Sequence, residues 1–438
     1  MRVLVTGATG YIGGRLAPLL IRRGHHVRCL TRSRGRLADV PWAAEAEVVE
    51  GDVLRPETLP AALAGVDVVY YLIHSLAGRD FEARDRRGAT HLADAARTAE
   101  VRRIVYLGGP KPLPGGESAH LRSREEVARI LLDSGVATVV LRAAVILGSG
   151  SASFEMLRYL TERLPAMVTP RWVHNRVQPI AIGDVLHYLA GVAELPPSVH
   201  RDFDIGGPEV LTFAEMMRRY ARQAGLPRRL IVPVRALTPS LSSRWVGLVT
   251  PVPGRLARPL VESLVHEAVC RDRDIARHVP DPPGGLTDVD TAIQLALARL
   301  ATGEVDAGWS VTTPADPLPT DPDWAGGTVH TDRRSVEVAA PPERVWRAVA
   351  DVAAQADRYL SPMAWSVRRI ERAYRDGRLR LWARTRGPGR AWLEMRVAPS
   401  DGGSRYDQRA VFIPRGLSGQ LYWYAGAPLH QAVFGGIA

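Results

Sequence analysis

The 438-residue chain is poor in lysine, in cysteine and in long apolar runs. Lys111 is its one lysine, so the other basic residues are all arginine. The two cysteines, Cys29 and Cys270, lie far apart. They offer neither a disulfide framework nor a metal-ligand spacing, so no metal site is expected. Cys29 falls in an apparent strand and reads as core. The last stretch, Gly416 to Ala438, has no Asp, Glu, Lys or Arg. A membrane span needs about 20 predominantly apolar residues, and Gln420, Pro428, His430 and Gln431 interrupt this one. A terminal helix gripping a sheet is expected there. The alternative is peripheral membrane contact through Tyr422, Trp423, Tyr424 and Phe434. The chain opens directly on a strand pattern, from which no signal peptide and a cytoplasmic location are expected.

Apolar residues make up 46% of the chain, enough for ample core, and its length predicts more than one domain. The formal charge of +11 comes from scattered arginines. Nucleic-acid binding would call for a basic stripe or a reading motif. Neither is present, so no nucleic-acid partner is expected.

What is present is organised around residues 1–14, MRVLVTGATGYIGG. Val3, Leu4 and Val5 form the apolar run of a buried strand. Thr6-Gly7-Ala8-Thr9-Gly10-Tyr11-Ile12-Gly13 follows, and an apolar helical pattern begins behind it. Strand, glycine-rich turn and helix start make a site for a pyrophosphate. Gly7 permits the turn, Gly10 lets backbone approach the phosphates, and Gly13 lets the helix sit close to the sheet. The N–H groups at the helix start favour negative charge. Gly7, Thr9, Gly10, Tyr11, Ile12 and Gly13 are therefore candidate cofactor-binding residues. With Thr6, the spacing resembles the TGxxGxxG signature of short-chain dehydrogenases/reductases, in the extended and atypical branches that read TGATGxxG.

Strand and helix patterns alternate through residue 150. Strands are expected at Val27–Leu30, Glu47–Val53, Val66–Ile73, Arg103–Leu107 and Thr138–Leu147, with a helix over Phe81–Thr98. The alternation predicts an α/β fold, a Rossmann-type doubly wound parallel sheet. Pro18 falls inside the first helix and should cost a hydrogen bond. The second strand runs into Arg32, Arg34 and Arg36. A NAD-specific site places an acid there, and the first acid is Asp39. Arg32, Arg34 and Arg36 suit a 2′-phosphate, so NADP(H) is expected over NAD(H). The alternative is a solvated basic loop. Asp52 and Val53 end the third strand, where related enzymes let an Asp meet the adenine edge. Leu72 and His74 end the fourth, beside the expected nicotinamide ribose.

The runs SASFE, PRWV, QPIAIGDV and FDIGGPEVLT resemble the NAD(P)H-binding atypical short-chain dehydrogenase family, related to NmrA-like proteins and nucleotide-sugar epimerases. The resemblance covers residues 1–300. It implies a small lobe from about 150 to 300 over the nicotinamide end. Phe154, Trp172 and Gln178 are its candidate pocket lining. Thr212 and Glu215 read as a capping box for a helix through Ala224. Pro314, Pro317, Pro319 and Pro322 mark 301–330 as a linker.

From 331 to 438 the pattern is strand, helix, several strands and terminal helix. Pro341-Pro342-Glu343 starts the first helix, with Val345, Trp346 and Val349 on one face. This resembles a START-like, or SRPBCC, helix-grip domain, α+β in class, which encloses an apolar cavity. The short Gln355–Pro362 connection replaces a longer stretch in such relatives, so the domain reads as shortened.

Short-chain dehydrogenases pair a proton-transferring tyrosine with a lysine four positions on. This chain lacks the pair, because Leu107 stands four before Lys111. Where the pair should lie stand His120 and Arg124. On a helix they would share a face. His120 is the candidate proton donor and Arg124 the ribose or phosphate anchor. Activity would then titrate near the usual imidazole value of about 6.5. Ser123 and Glu126 compete as a capping box, which would start the helix after His120 and leave a surface cap without chemistry. Tyr71, His74 or a water near Gly108 are the fallback donors.

Two readings follow. The first is an NADP(H)-binding oxidoreductase acting on an apolar carbonyl or quinone-like compound. The second is a non-catalytic NADP(H)-sensing or scaffold protein of NmrA-like type. The expected partner is a small apolar molecule, and oligomeric state is not legible.

Overall fold

The computed structural model describes residues 1–38, 40–74, 80–111, 118–234, 246–247, 249–302, 321–322, 324–363, 365–373, 378–385 and 388–437. Asp39 and the linker prolines Pro314, Pro317 and Pro319 lie outside the described residues. The chain divides into two compact units, residues 1–160 with 166–327, and residues 161–165 with 328–438.

The strands of the first unit are β1 (Arg2–Thr6), β2 (His26–Thr31), β3 (Glu47–Glu50), β4 (Val68–Tyr71), β5 (Arg103–Gly108), β6 (Thr138–Ala143), β7 (Ile146–Leu147), β8 (Ala166–Pro170), β9 (Arg176–Val177), β10 (Ile180–Ala181), β11 (Arg201–Ile205), β12 (Leu211–Thr212) and β13 (Leu230–Val234). Its helices include α1 (Gly13–Arg22), α2 (Leu59–Leu63), α3 (Phe81–Thr98), α4 (Ala119–Leu132), α5 (Ala152–Arg163), α6 (Ile182–Val192) and α7 (Phe213–Gln223). Seven strands form a parallel sheet in the order β11-β6-β5-β4-β1-β2-β3.

Alternation along β1 decides which helices cover which face. Val3 and Val5 pack with Leu16 and Leu20 of α1 and with Val185 and Leu189 of α6. Leu4 points the other way, toward Leu63 of α2, Leu92 of α3 and Leu131 of α4. Successive strand side chains point to opposite faces, so one strand seeds two cores. Each fully buried leucine contributes about 1.5–3 kcal/mol. Cys29 is buried in the first of these cores, and burial pushes its thiol up to about 12. Pro18 sits inside α1, as expected.

Three expected strands are shorter than their apolar runs. The fourth keeps only Val68–Tyr71 of the Val66–Ile73 run. The third stops at Glu50, and the chain turns at Val53–Leu54, with the Thr58 hydroxyl accepting the Asp52 N–H at 3.1 Å. The run Thr138–Leu147 is two strands. The chain leaves the main sheet after Ala143, and Ile146–Leu147 pairs instead with Ile180–Ala181. Two buried arginines work inside the fold. Arg28 donates to the carbonyls of Ala62 and Ala64 at 2.8 and 3.0 Å. Arg103 donates to those of Pro196 and Val199 at 2.7 and 2.9 Å. A long guanidinium satisfies several carbonyls at once, so part of the basic excess is structural.

The second unit is an antiparallel sheet of β14 (His330–Val338), β15 (Trp365–Ala373), β16 (Arg378–Thr385), β17 (Gly389–Ser400) and β18 (Gly403–Pro414), in the order β14-β18-β17-β16-β15. Leu393, Met395 and Val397 are buried, and Arg396 faces out. Helix Pro342–Ala354 buries Val345 and Val349. An apolar cavity of about 300 Å³ lies among Val345, Val349, Met395, Tyr406 and Ile437. The Gln355–Pro362 connection contains a short helix, Ala356–Leu360, that buries Leu360. The expected terminal helix is two helices, Gly416–Ala425 and Ala427–Ile437. Trp423 stacks on Phe412, the Tyr422 hydroxyl donates to the Met363 carbonyl at 2.6 Å, and Phe434 is buried. Of the four terminal aromatics, only Tyr424 is strongly exposed. Among the described residues, no helix is long and apolar enough to cross a membrane.

Candidate functional site

A cavity of about 810 Å³ opens at the ends of β1, β4 and β5 in the first unit. Strand order reverses between β1 and β4, the place where open α/β sheets bind ligands. Thr6 fixes this junction. Its hydroxyl donates to the Tyr70 carbonyl at 3.0 Å and accepts the Leu72 N–H at 3.1 Å. Gly7 has φ +72°, a left-handed conformation that suits glycine, and an added Cβ would stand 3.0 Å from the Leu72 carbonyl oxygen. A Cβ on Gly13 would fall onto the Gly7 carbonyl. Gly13 therefore lets α1 close on its own loop, where a fit against the sheet was expected. No side chain caps α1, and its first turn holds no acid. The helix start is thus open to an anion. Gly7, Thr9, Gly10, Tyr11, Ile12 and Gly13 all line the cavity.

Arg32 lines the cavity, but Arg34 does not; Arg36 takes that place. Arg34–Leu37 is one 3₁₀ turn with Leu37 buried. With about three residues per turn, positions two apart point in different directions, so Arg34 and Arg36 cannot both face inward. Asp52, Val53, Leu72 and His74 line the cavity. One Asp52 carboxylate oxygen accepts the Leu54 N–H at 3.0 Å.

The N-cap of α4 is Ser118, whose hydroxyl accepts the Leu121 N–H at 3.2 Å. This corrects the cap expected at Ser123. Ser123 lies inside the helix and donates to Asp85 at 3.2 Å. His120 and Arg124 therefore share one helix face, and both line the cavity. Arg124 donates to the Leu107 carbonyl at 3.2 Å, which ties it to the end of β5. The His74 ring stands 6.5 Å from that of His120, nearly perpendicular to it. Burial, then Arg124, lowers the His120 imidazole to about 3, so the titration expected near the usual value is displaced. His74 is open to cavity solvent but sits deep among protein atoms. That setting, then Arg124 and His120, holds it well below the usual imidazole range. Tyr71 also lines the cavity, and burial raises its hydroxyl, keeping it protonated.

The three expected pocket residues are not in the cavity wall. Phe154 is fully buried against Tyr220 and the Arg158 guanidinium. Ala152, Ser153 and Met156 of the same helix line the cavity instead. Residues 152 and 156 share a face, whereas 154 lies about 200° from 152. Trp172 is half-buried in a 3₁₀ turn. Gln178 ties loops together, donating to the Gly207 carbonyl at 2.7 Å and accepting the Cys270 N–H at 3.0 Å. Thr212 does cap α7, accepting the Glu215 N–H at 3.1 Å. Wall residues outside the sequence expectation include Arg84, Asp85, Phe213 and Trp324. Leu256, Leu260 and Leu264 also line the cavity, from helix Gly254–Leu264. Their four-residue spacing is a signal that could have found them.

Fold and site together define a dinucleotide-binding α/β protein. A family model described as NAD(P)H-binding matches residues 7–147. A second, described as a protein of unknown function (DUF2867), matches residues 365–437. The chain is 30% identical over 285 residues to a Streptomyces 3-diazoavenalumate denitrifying reductase, covering 56% of this chain and 88% of the relative. It is 29% identical over 272 residues to the chloroplastic divinyl chlorophyllide a 8-vinyl-reductase of Zea mays, covering 58% and 66%. The structure of Citrobacter sp. triphenylmethane reductase complexed with NADP(H) superposes with a TM-score of 0.53 at 20% identity, over 68% of this chain and all of that one. The chain belongs to the NAD(P)H-binding, atypical short-chain dehydrogenase/reductase family.

Proposed function

We propose that the protein is an NADP(H)-dependent reductase of an apolar carbonyl or quinone-like compound. The observation that carries the reading is the meeting, in one cavity, of the glycine loop, the His120–Arg124 pair and an apolar wall. The open start of α1 and the close-packed glycines fit a pyrophosphate, and Arg32 with Arg36 fits a 2′-phosphate. When bound, the cofactor supplies hydride. The chain's own groups then answer for the oxygen that gains charge. His120, held neutral, donates a hydrogen bond to it without first gaining a proton, and the alkoxide left by hydride addition then takes its proton from solvent water, giving the alcohol. Arg124, fixed by the Leu107 carbonyl, adds positive potential beside it. Tyr71 is a second protonated donor in the same wall. Relatives named as reductases, one of known structure with NADP(H), support the direction of reaction.

The test joins calorimetric cofactor binding to NADPH oxidation across a panel of carbonyls and quinones. Saturable turnover is expected, with NADPH bound more tightly than NADH. Arg32→Ala should weaken NADPH roughly tenfold more than NADH, since a bond to a charged group is worth about 1.5–3 kcal/mol. Tight NADPH binding with no turnover anywhere in the panel would favour the NmrA-like sensing role instead.

A further inference from the structure

Residues 321, 322 and 324–327 follow the first unit's last described helix, Val289–Thr302, and belong to that unit, although neither family model reaches them. Two clamps bind this strap to the cavity's frame. The Asp321 carboxylate takes two hydrogen bonds from Arg15, at 2.6 and 3.1 Å, with both side chains about 1% exposed. Arg15 in turn donates to the Tyr11 carbonyl at 2.9 Å and stacks 4.0 Å over the Tyr11 ring, inside the glycine loop. It also donates to the Ser149 carbonyl at 3.2 Å. The second clamp is Glu155, fully buried in α5. One of its oxygens accepts the N–H groups of Gly150 at 2.8 Å and Gly326 at 3.0 Å.

Gly150 has φ +93°, and a Cβ there would stand 2.7 Å from Asp321 Oδ2, so the strap needs glycine beneath it. Between the clamps, Tyr159 donates to the Trp324 carbonyl at 2.9 Å. The Pro322 and Trp324 side of the strap then lines the cavity. Met156 and Leu260 line the same cavity. A buried ion pair and a shared buried carboxylate are costly arrangements. Here they hold one large aromatic residue in place.

We propose that Trp324, fixed by these clamps, is the wall that sets which apolar acceptors the site takes. The inference rests on the reductase reading of the same cavity. It gives the strap a role in acceptor choice and leaves the cofactor to the glycine loop. A flat indole favours a flat, fused-ring acceptor, because aromatic faces pack in offset or edge-on contact.

The test uses the full chain loaded with NADP⁺ and titrated with phenanthrenequinone, then with the one-ring benzoquinone. Trp324→Ala should weaken phenanthrenequinone binding roughly tenfold and benzoquinone much less. NADP⁺ affinity and the thermal midpoint should stay near wild type. Trp324→Phe, which keeps an aromatic face, should retain most of the affinity. Equal phenanthrenequinone binding by wild type and Trp324→Ala overturns the proposal. An equal loss for both quinones, or a matching loss of NADP⁺ affinity, overturns it too, because Trp324 would then act on the whole site. Wild type that binds NADP⁺ but neither quinone overturns this proposal alone. Wild type that fails to bind NADP⁺ brings down the reductase reading and this inference with it.

Discussion

Two parts of the cavity wall are built on different principles. In one, Gly7 and Thr9 to Gly13 line the cavity, and backbone does the work. Its fit depends on the absence of Cβ atoms and on an uncapped helix start. In the other the wall is side chain, drawn from α5, α7, helix Gly254–Leu264 and the strap that carries Trp324. Such a wall can change its shape by single substitutions, while the loop tolerates almost none.

The sharpest way to break this contrast is Gly13→Val. The new side chain would land on the Gly7 carbonyl, and overpacking of this kind costs about 1–3 kcal/mol or more. NADPH affinity by calorimetry should fall roughly 100-fold. A variant binding as wild type would show that the loop is as forgiving as the side-chain wall.

His120 lines the same cavity. His120→Ala should lower kcat about 10²–10³-fold, the usual cost of losing one donor to a developing oxyanion, with NADPH affinity little changed. Because its imidazole is held at about 3, His120 stays neutral across ordinary assay pH, and no inflection near the usual value should come from it. The same depression has a sign for stability. Between about 3 and about 6.5 the unfolded chain binds the proton that the folded chain refuses, so stability falls as pH drops through that window. His120→Gln should therefore resist acid unfolding, followed by circular dichroism, better than wild type does. A kcat inflection near 6.5 that vanishes in His120→Gln would mean that the ring is far less desolvated than its surroundings require.

The smallest expected effects compare neighbours in one loop. Arg36→Ala should weaken NADPH about tenfold, while Arg34→Ala should leave it within about twofold, since only Arg36 faces the cavity. Equal losses would mean that the 3₁₀ turn rearranges when phosphate binds.

Much of the frame was legible because it is written in short-range pattern. The Phe81–Thr98 helix, the glycine loop and the alternation of strands and helices follow from periodicity and turn chemistry. The cap of α4 was not. Ser118 and Ser123 are both competent caps in sequence, and only the seating of Ser123 against Asp85 inside the packed helix pair decides between them. Phe154 was misplaced for a related reason. A helix presents one face to a cavity and another to the core, and which is which depends on what packs behind it.

By itself, then, the sequence determined the doubly wound frame and the dinucleotide loop. Both are written in short-range pattern, where local geometry is nearly obligatory. Only the tertiary structure decided that Arg36 and not Arg34 turns inward, that His120 is held neutral, and that Asp321 meets Arg15 across 306 positions of chain. Desolvation and long-range contact have no local signature. They exist only once distant segments have packed and water has been excluded between them.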